Sequence, residues 1–256
     1  MAHRLLSIAA NTFRETVRNK VLYVILAFAL VVIALSWFLA DLSLGDFTRI
    51  IADVGLACIH LFGVTIAVFL GISLVSQELD RKTIYLILSR PVPRWEFVLG
   101  KAAGLCATIL LTTSVMAVTL FGVHASYGGT PEAGILLASA GIFLELVLLV
   151  CVATLFSTFT TPTLSAMFTL ALFAIGHLSE GLYRMAGQFK SAGAKAAATT
   201  LFHVLPNLEV FNWKDGVVHG DVRSAAILVS AAGYLAFYGA AVLLLACLLF
   251  ERKDFK

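Results

Sequence analysis

Apolar positions in this chain do not alternate with polar ones. They gather in continuous runs separated by short polar stretches. Six runs stand out, at residues 21–40, 54–76, 102–123, 133–156, 158–178 and 225–250. Each reaches the ~17–25 residues that a helix rising ~1.5 Å per residue needs to cross a ~30 Å hydrocarbon core. Strands of a membrane barrel would show alternating segments of about ten residues instead. The pattern predicts an all-α integral membrane protein, a six-transmembrane-helix bundle forming a single domain over residues 1–256.

The segments between the runs refine this layout. From Arg4 to Lys20, Leu5, Ile8, Ala9, Phe13 and Val17 recur every three to four residues, with Arg14, Glu15 and Arg18 elsewhere around the helix. This predicts an amphipathic N-terminal interfacial helix. The first run is too long for a secretory h-region and lacks a clear cleavage site, so it is expected to be a retained span. DLSLGDFTRIIAD, with Asp41, Asp46 and Asp53, reads as a solvated connector, and HASYGGTPEAG as an ordinary turn. FSTFTTPTLS is uncharged and rich in hydroxyls, with Pro162 near the start of a span. It predicts a tight, partly buried reversal in which hydroxyls satisfy backbone groups at two helix ends. Residues 179–224 form a long connection. Leu182, Met185 and Phe189 at helical spacing predict an external helical segment between spans 5 and 6. Pro206 and Asn207 should end it, leaving LPNLEVFN as a turn that packs Leu208, Val210 or Phe211 onto the bundle.

Lysine and arginine placement orients the bundle. Arg4, Arg14, Arg18, Lys20, Arg81, Lys82, Arg90, Arg94, Lys101, Arg252, Lys253 and Lys256 fall on one side of the six runs, against six basic residues on the other. Basic residues stay on the cytoplasmic side, so both termini are expected there. At 60% hydrophobic and 13% charged residues, the composition excludes an ordinary soluble domain. A formal net charge of +3, dispersed along the chain, gives no argument for nucleic acid. Cys58, Cys106, Cys151 and Cys247 all lie within runs and lack zinc-site spacing. They are expected to behave as small hydrophobes.

Residues 76–101, SQELDRKTIYLILSRPVPRWEFVLGK, carry eight of the 33 charges. From Glu78 to Ser89 a helix would show Ile84, Ile87 and Leu88 on one face and Leu79, Thr83 and Leu86 on another. Glu78 and Lys82 stand at i and i+4 with the acid first, the favourable order. Pro91 and Pro93 should stop this helix near Ser89, and Pro93 suits the first turn of the next, with Glu96 near its positive end. A cytoplasmic coupling helix, a proline corner and a second helix entering the bilayer would together form a lever running to Arg94.

The segments NTFRETVRNKVLYVI, ELDRKTIYLILSRPVPRWEFVLGK, LPNLEVFN and FERKDF resemble the corresponding parts of permease subunits of ABC type-2 transporters. The resemblance follows the whole chain in order, and its second segment is the most specific. It implies a permease of an ATP-driven exporter in a bacterial or archaeal inner membrane, working as a dimer with a second permease copy. It also implies that a cytoplasmic ABC ATPase subunit meets the element between spans 2 and 3, giving an ATPase-coupling role to Glu78, Asp80, Arg81, Thr83 and Arg90. Ile84, Ile87, Leu88 and Arg94 share that element. The sequence holds no G-x-x-x-x-G-K-[ST] loop. ATP and Mg are therefore expected on the partner ATPase, with no catalytic residue, cofactor or metal in this chain. A periplasmic or accessory protein is a further expected partner, because some relatives transmit force without moving a solute.

Inside the membrane, Glu145 falls near the centre of the fourth run, where an ionised carboxylate costs roughly 2.5–3.5 kcal/mol. Two readings stand: a contact in the translocation path, or a structural hydrogen bond to Ser or Thr on a neighbouring span. His60, His124 and His177 map near the outer ends of their runs, with His203 and His219 in the external loop. They suggest a second class of function, a haem- or metal-holding electron-transfer subunit. A proton-coupled secondary transporter using Glu145 is a third. Gly100 and Gly104 form a G-x-x-x-G, a signal of close helix contact.

Overall fold

The computed structural model describes residues 2–41, 47–80, 93–126, 133–186, 193, 195, 199–200, 205–214 and 226–252. Its elements are α1 (Ala2–Val17), α2 (Lys20–Asp41), α3 (Phe47–Asp80), α4 (Arg94–Ser126), α5 (Ala133–Phe159), α6 (Pro162–Ala186), a 3-10 turn (Leu208–Phe211) and α7 (Ala226–Glu251). No strand occurs among the described residues. Five helices, α3 to α7, are each long and apolar enough to cross a membrane, and α2 makes a sixth when taken with α1, to which it is bent by 64°. Large apolar side chains also face outward, including Val24, Phe28 and Val31 on α2 and Val229 and Phe237 on α7. Helices apolar on all sides suit a lipid surround, not water.

Helices α3, α4 and α5 pack on one another at the centre, with α2 against α3 and α4, α6 against α3 and α5, and α7 against α4 and α5. Glycines on α3 allow the close approach. A Cβ added at Gly55 would lie 2.1 Å from Leu120, one at Gly63 2.5 Å from Leu146, and one at Gly71 2.2 Å from the Ala153 Cβ. Each eight-residue step turns about 80° around the helix, so Gly55 opens α3 toward α4 while Gly63 and Gly71 open it toward α5. Helix α1 lies against α4, where Ile8 and Ala9 meet Gly100 and Gly104 and where Thr12 and Thr16 are buried. The G-x-x-x-G is therefore a seat for the amphipathic helix. A Cβ at Gly104 would stand 2.6 Å from the Ala9 carbonyl oxygen. Gly104→Leu is expected to lift α1 off α4, raising the rate of tryptic cleavage at Arg14 and Arg18 by about tenfold or more. Unchanged digestion would mean that α1 is held by something else.

The helix bounds correct several expectations. Helix α3 begins seven residues before the expected 54, because Ile51 and Ala52 are buried in the core and draw the helix outward. Asp53 thus sits on a helix, and most of the supposed acidic connector is span. Glu78 and Asp80 form the end of α3 and do not open a separate helix. The remaining coupling positions, Arg81, Thr83, Ile84, Ile87, Leu88 and Arg90, lie outside the described residues. Helix α4 starts at Arg94, immediately after Pro93 and eight residues before 102. Helix α5 runs to Phe159 and α6 starts at Pro162 in place of Thr158, since a proline at the first helical position has no N–H to leave unpaired. Helix α6 continues to Ala186, so Leu182 and Met185 belong to it and not to a separate external helix. Phe189, His203 and His219 lie outside the described residues.

Two expected turns take their anticipated form. Between α5 and α6 only Thr160 and Thr161 intervene. The Ser157, Thr158 and Thr160 hydroxyls donate to the carbonyls of Thr154, Leu155 and Phe156 at 2.7–2.8 Å, so these hydroxyls are themselves satisfied within the last turns of α5, and the Thr160 N–H donates to the Phe156 carbonyl as well. In LPNLEVFN the Asn207 side chain accepts from the Glu209 N–H at 3.0 Å, and the Asn207 N–H donates to the Tyr234 hydroxyl oxygen at 2.9 Å. Leu208 and Phe211 are buried against α5, α6 and α7, together with Trp213.

Candidate functional site: a His–Glu–His cluster within the bundle

Three helices bring His60, Glu145 and His177 together. Glu145 projects from the middle of α5, whose 27 residues hold no other charged side chain, and it is only 1% exposed. Its Oε1 lies 2.9 Å from His60 Nε2 on α3 and 3.4 Å from His177 Nε2 on α6. The imidazole centroids are 5.4 Å apart, and Phe173 leans on both rings at 5.5 Å and 4.7 Å. The earlier start of α3 moves His60 thirteen residues into the helix, away from the span end expected for it.

Local packing explains the encounter. Gly63, one turn beyond His60, faces Leu146, the neighbour of Glu145; without a side chain there, α3 approaches α5 closely enough for His60 to reach the carboxylate. On the other flank, Gly176 fits under Leu208 and the Pro206 carbonyl, so the LPNLEVFN turn holds α6 beside His177. The side chains of His60 and His177 keep 15% and 23% of their surface open, so the cluster is reached from the histidine side.

The hydrogen-bond roles follow from chemistry. His177 Nδ1 lies 3.3 Å from the Phe173 carbonyl oxygen, which can only accept, so Nδ1 carries a hydrogen. In the neutral ring, Nε2 is then a lone-pair donor facing the region of a carboxylate oxygen. Two such electron-rich atoms 3.4 Å apart are reconciled by a cation between or upon them. The structural alternative read from sequence, a bond from Glu145 to Ser or Thr, is replaced by these two imidazoles. The hydroxyls of α4 and α5 are otherwise engaged: Thr108, Thr112, Thr113 and Thr154 each donate to a carbonyl three or four residues back.

His124 is buried near the end of α4 and is not in the cluster. Among the described residues the four cysteines are free thiols, three of them buried. The meeting of His60, Glu145 and His177 was missed from sequence, although a signal existed. Glu145 and His177 stand sixteen residues either side of Thr161, so a two-residue turn between antiparallel helices sets them level.

A second polar locus marks the start of α4. Arg94 donates from one guanidinium nitrogen to the Phe250 and Glu251 carbonyls, at 3.3 and 3.1 Å, covering the end of α7. Cations are favourable at that negative helix end. Phe97 stacks on Phe250 at 6.0 Å, and the Lys101 ammonium stands 5.0 Å from the Phe97 centroid. Glu96 is buried in the first turn of α4, where its charge complements the helix dipole. Sequence reasoning gave Arg94 a place on the lever but did not anticipate its hold on α7.

Residues 6–255 fit the model of a family described as ABC-2 family transporter protein. No curated protein is matched.

Proposed function

Because the chain belongs to the ABC-2 family of transporter proteins and is a multi-pass permease component of an ABC transporter, we propose that it is driven by a separate cytoplasmic ATPase. In this reading two permease copies pair, each engaging one ATPase subunit through Glu78, Asp80, Arg81, Thr83, Ile84, Ile87, Leu88, Arg90 and Arg94. ATP and Mg bind the ATPase, and this chain performs no hydrolysis itself. The protein sits in a bacterial or archaeal inner membrane with both termini cytoplasmic. It exports a substrate or passes force to a periplasmic or accessory partner.

The family match over nearly the whole chain carries this reading. The ends of α3 and α4 support it mechanically. Helix α3 runs unbroken to Asp80, α4 begins at Arg94, and Arg94 also grips α7. Displacement of the intervening segment would act on all three helices. Glu145 is the proposed translocation-path residue, because it is the buried charge in the middle of the central helix α5.

Cysteine introduced at Thr83, in a background with the four native cysteines replaced, is expected to crosslink to a co-expressed ATPase encoded beside this chain. ATP should change the crosslinking yield severalfold. If no ATPase is recovered by co-purification or crosslinking at Thr83 or Arg81, the coupling proposal fails.

A further inference from the structure

We propose that His60, Glu145 and His177 form an intramembrane binding site for a divalent transition-metal ion of the zinc class, ligated by the two Nε2 atoms and a Glu145 carboxylate oxygen. Two imidazoles and one carboxylate make a ligand set that zinc accepts, with a fourth position left for water or another donor. The three donor atoms all lie within 4.8 Å of one another. Ligands ~2.0–2.1 Å from a tetrahedral zinc are themselves about 3.3 Å apart. The His177–Glu145 separation of 3.4 Å already matches this, and the His60–Glu145 separation of 2.9 Å is close. Each imidazole needs to shift by less than about 1 Å to complete the set.

The surroundings favour an ion over a bare hydrogen-bonded cluster. The Phe173 carbonyl holds the Nδ1 hydrogen of His177 and so turns the lone pair of Nε2 toward the site. A backbone carbonyl behind a histidine is the usual support for a metal-ligating imidazole. Glu145, 1% exposed among apolar helices, needs a positive partner, and a divalent ion supplies one while sharing both histidines. Access is available through the partly open faces of His60 and His177. The site is independent of ATP coupling and can be read on the permease alone.

The test uses the full chain in nanodiscs, stripped with chelator and titrated with Co²⁺ as a spectroscopic stand-in for Zn²⁺. We expect one equivalent per chain, with the strong visible absorption of low-coordinate cobalt bleached by added Zn²⁺. Glu145→Gln and His177→Gln should each weaken binding about tenfold or more, and His60→Gln should do the same. His124→Gln, outside the cluster, should bind as the unaltered protein does, and monodisperse elution of each variant confirms folding. Failure of the unaltered protein to bind near one equivalent would overturn the site. Equal binding by folded Glu145→Gln and His177→Gln would overturn it too, since the metal would then lie elsewhere. A cluster that takes up protons but no cobalt would show hydrogen bonding alone.

Discussion

Gly71→Ala is expected to lower the stability of the solubilised protein by about 1–3 kcal/mol, the usual cost of forcing a methyl group into a filled interior. The added Cβ would stand 2.2 Å from the Cβ of Ala153 and 3.4 Å from its Cα. Neither atom can swing aside as the tip of a long side chain can, so α3 and α5 must separate. Because that interface also carries His60 toward Glu145, the damage should extend beyond local packing. Thermal unfolding in detergent measures the effect. The double variant Gly71→Ala, Ala153→Gly moves the methyl from one helix to the other and should recover most of the loss. If the double variant is no better than the single one, close α3–α5 packing at this point is not what limits stability.

Glu145→Gln is expected to reduce permease-dependent ATP turnover in the reconstituted complex by about tenfold, corresponding to ~1.4 kcal/mol, while leaving assembly intact. Glutamine keeps the shape and an acceptor oxygen for His60 but removes the charge. Glu145→Ala removes the acceptor as well. It should destabilise the fold by roughly 1–3 kcal/mol for a buried group left unsatisfied. Comparing the two separates charge from structure. Full turnover in the glutamine variant would remove the carboxylate from the transport cycle and leave it a structural role.

Much of the fold could be read from hydropathy because a bilayer imposes a length on every span. Runs of the right length announced the spans, and the amphipathic stripe of Leu5, Ile8, Ala9 and Phe13 announced α1. The ends were harder. Ile50 and Ile51 beside Arg49 and Asp53 read as loop when charges are counted locally, yet burial of Ile51 extends α3 through them. Conversely, Pro162 placed the start of α6 more reliably than the apolar run that began earlier. The cluster was legible only in parts. Glu145 was conspicuous as a lone mid-span charge, but its partners depend on helix rotation and depth. The depth of His60 was misjudged because the start of α3 was. Its approach to Glu145 depends on Gly63, whose importance appears only when α5 is packed against it.

The short reversal at Thr160 and Thr161 also bears on how the protein assembles. Glu145 and His177 belong to one helical hairpin, so the chain entropy of bringing carboxylate to imidazole is largely lost when that hairpin closes, over a short loop. His60 comes from a helix 85 residues away in sequence. Its contact with Glu145 is therefore long-range and closes a far longer loop than the hairpin does. A carboxylate in lipid shared by three helices ties the depth of α3 to that of the hairpin, because a shift of α3 along its axis takes His60 out of reach of Glu145.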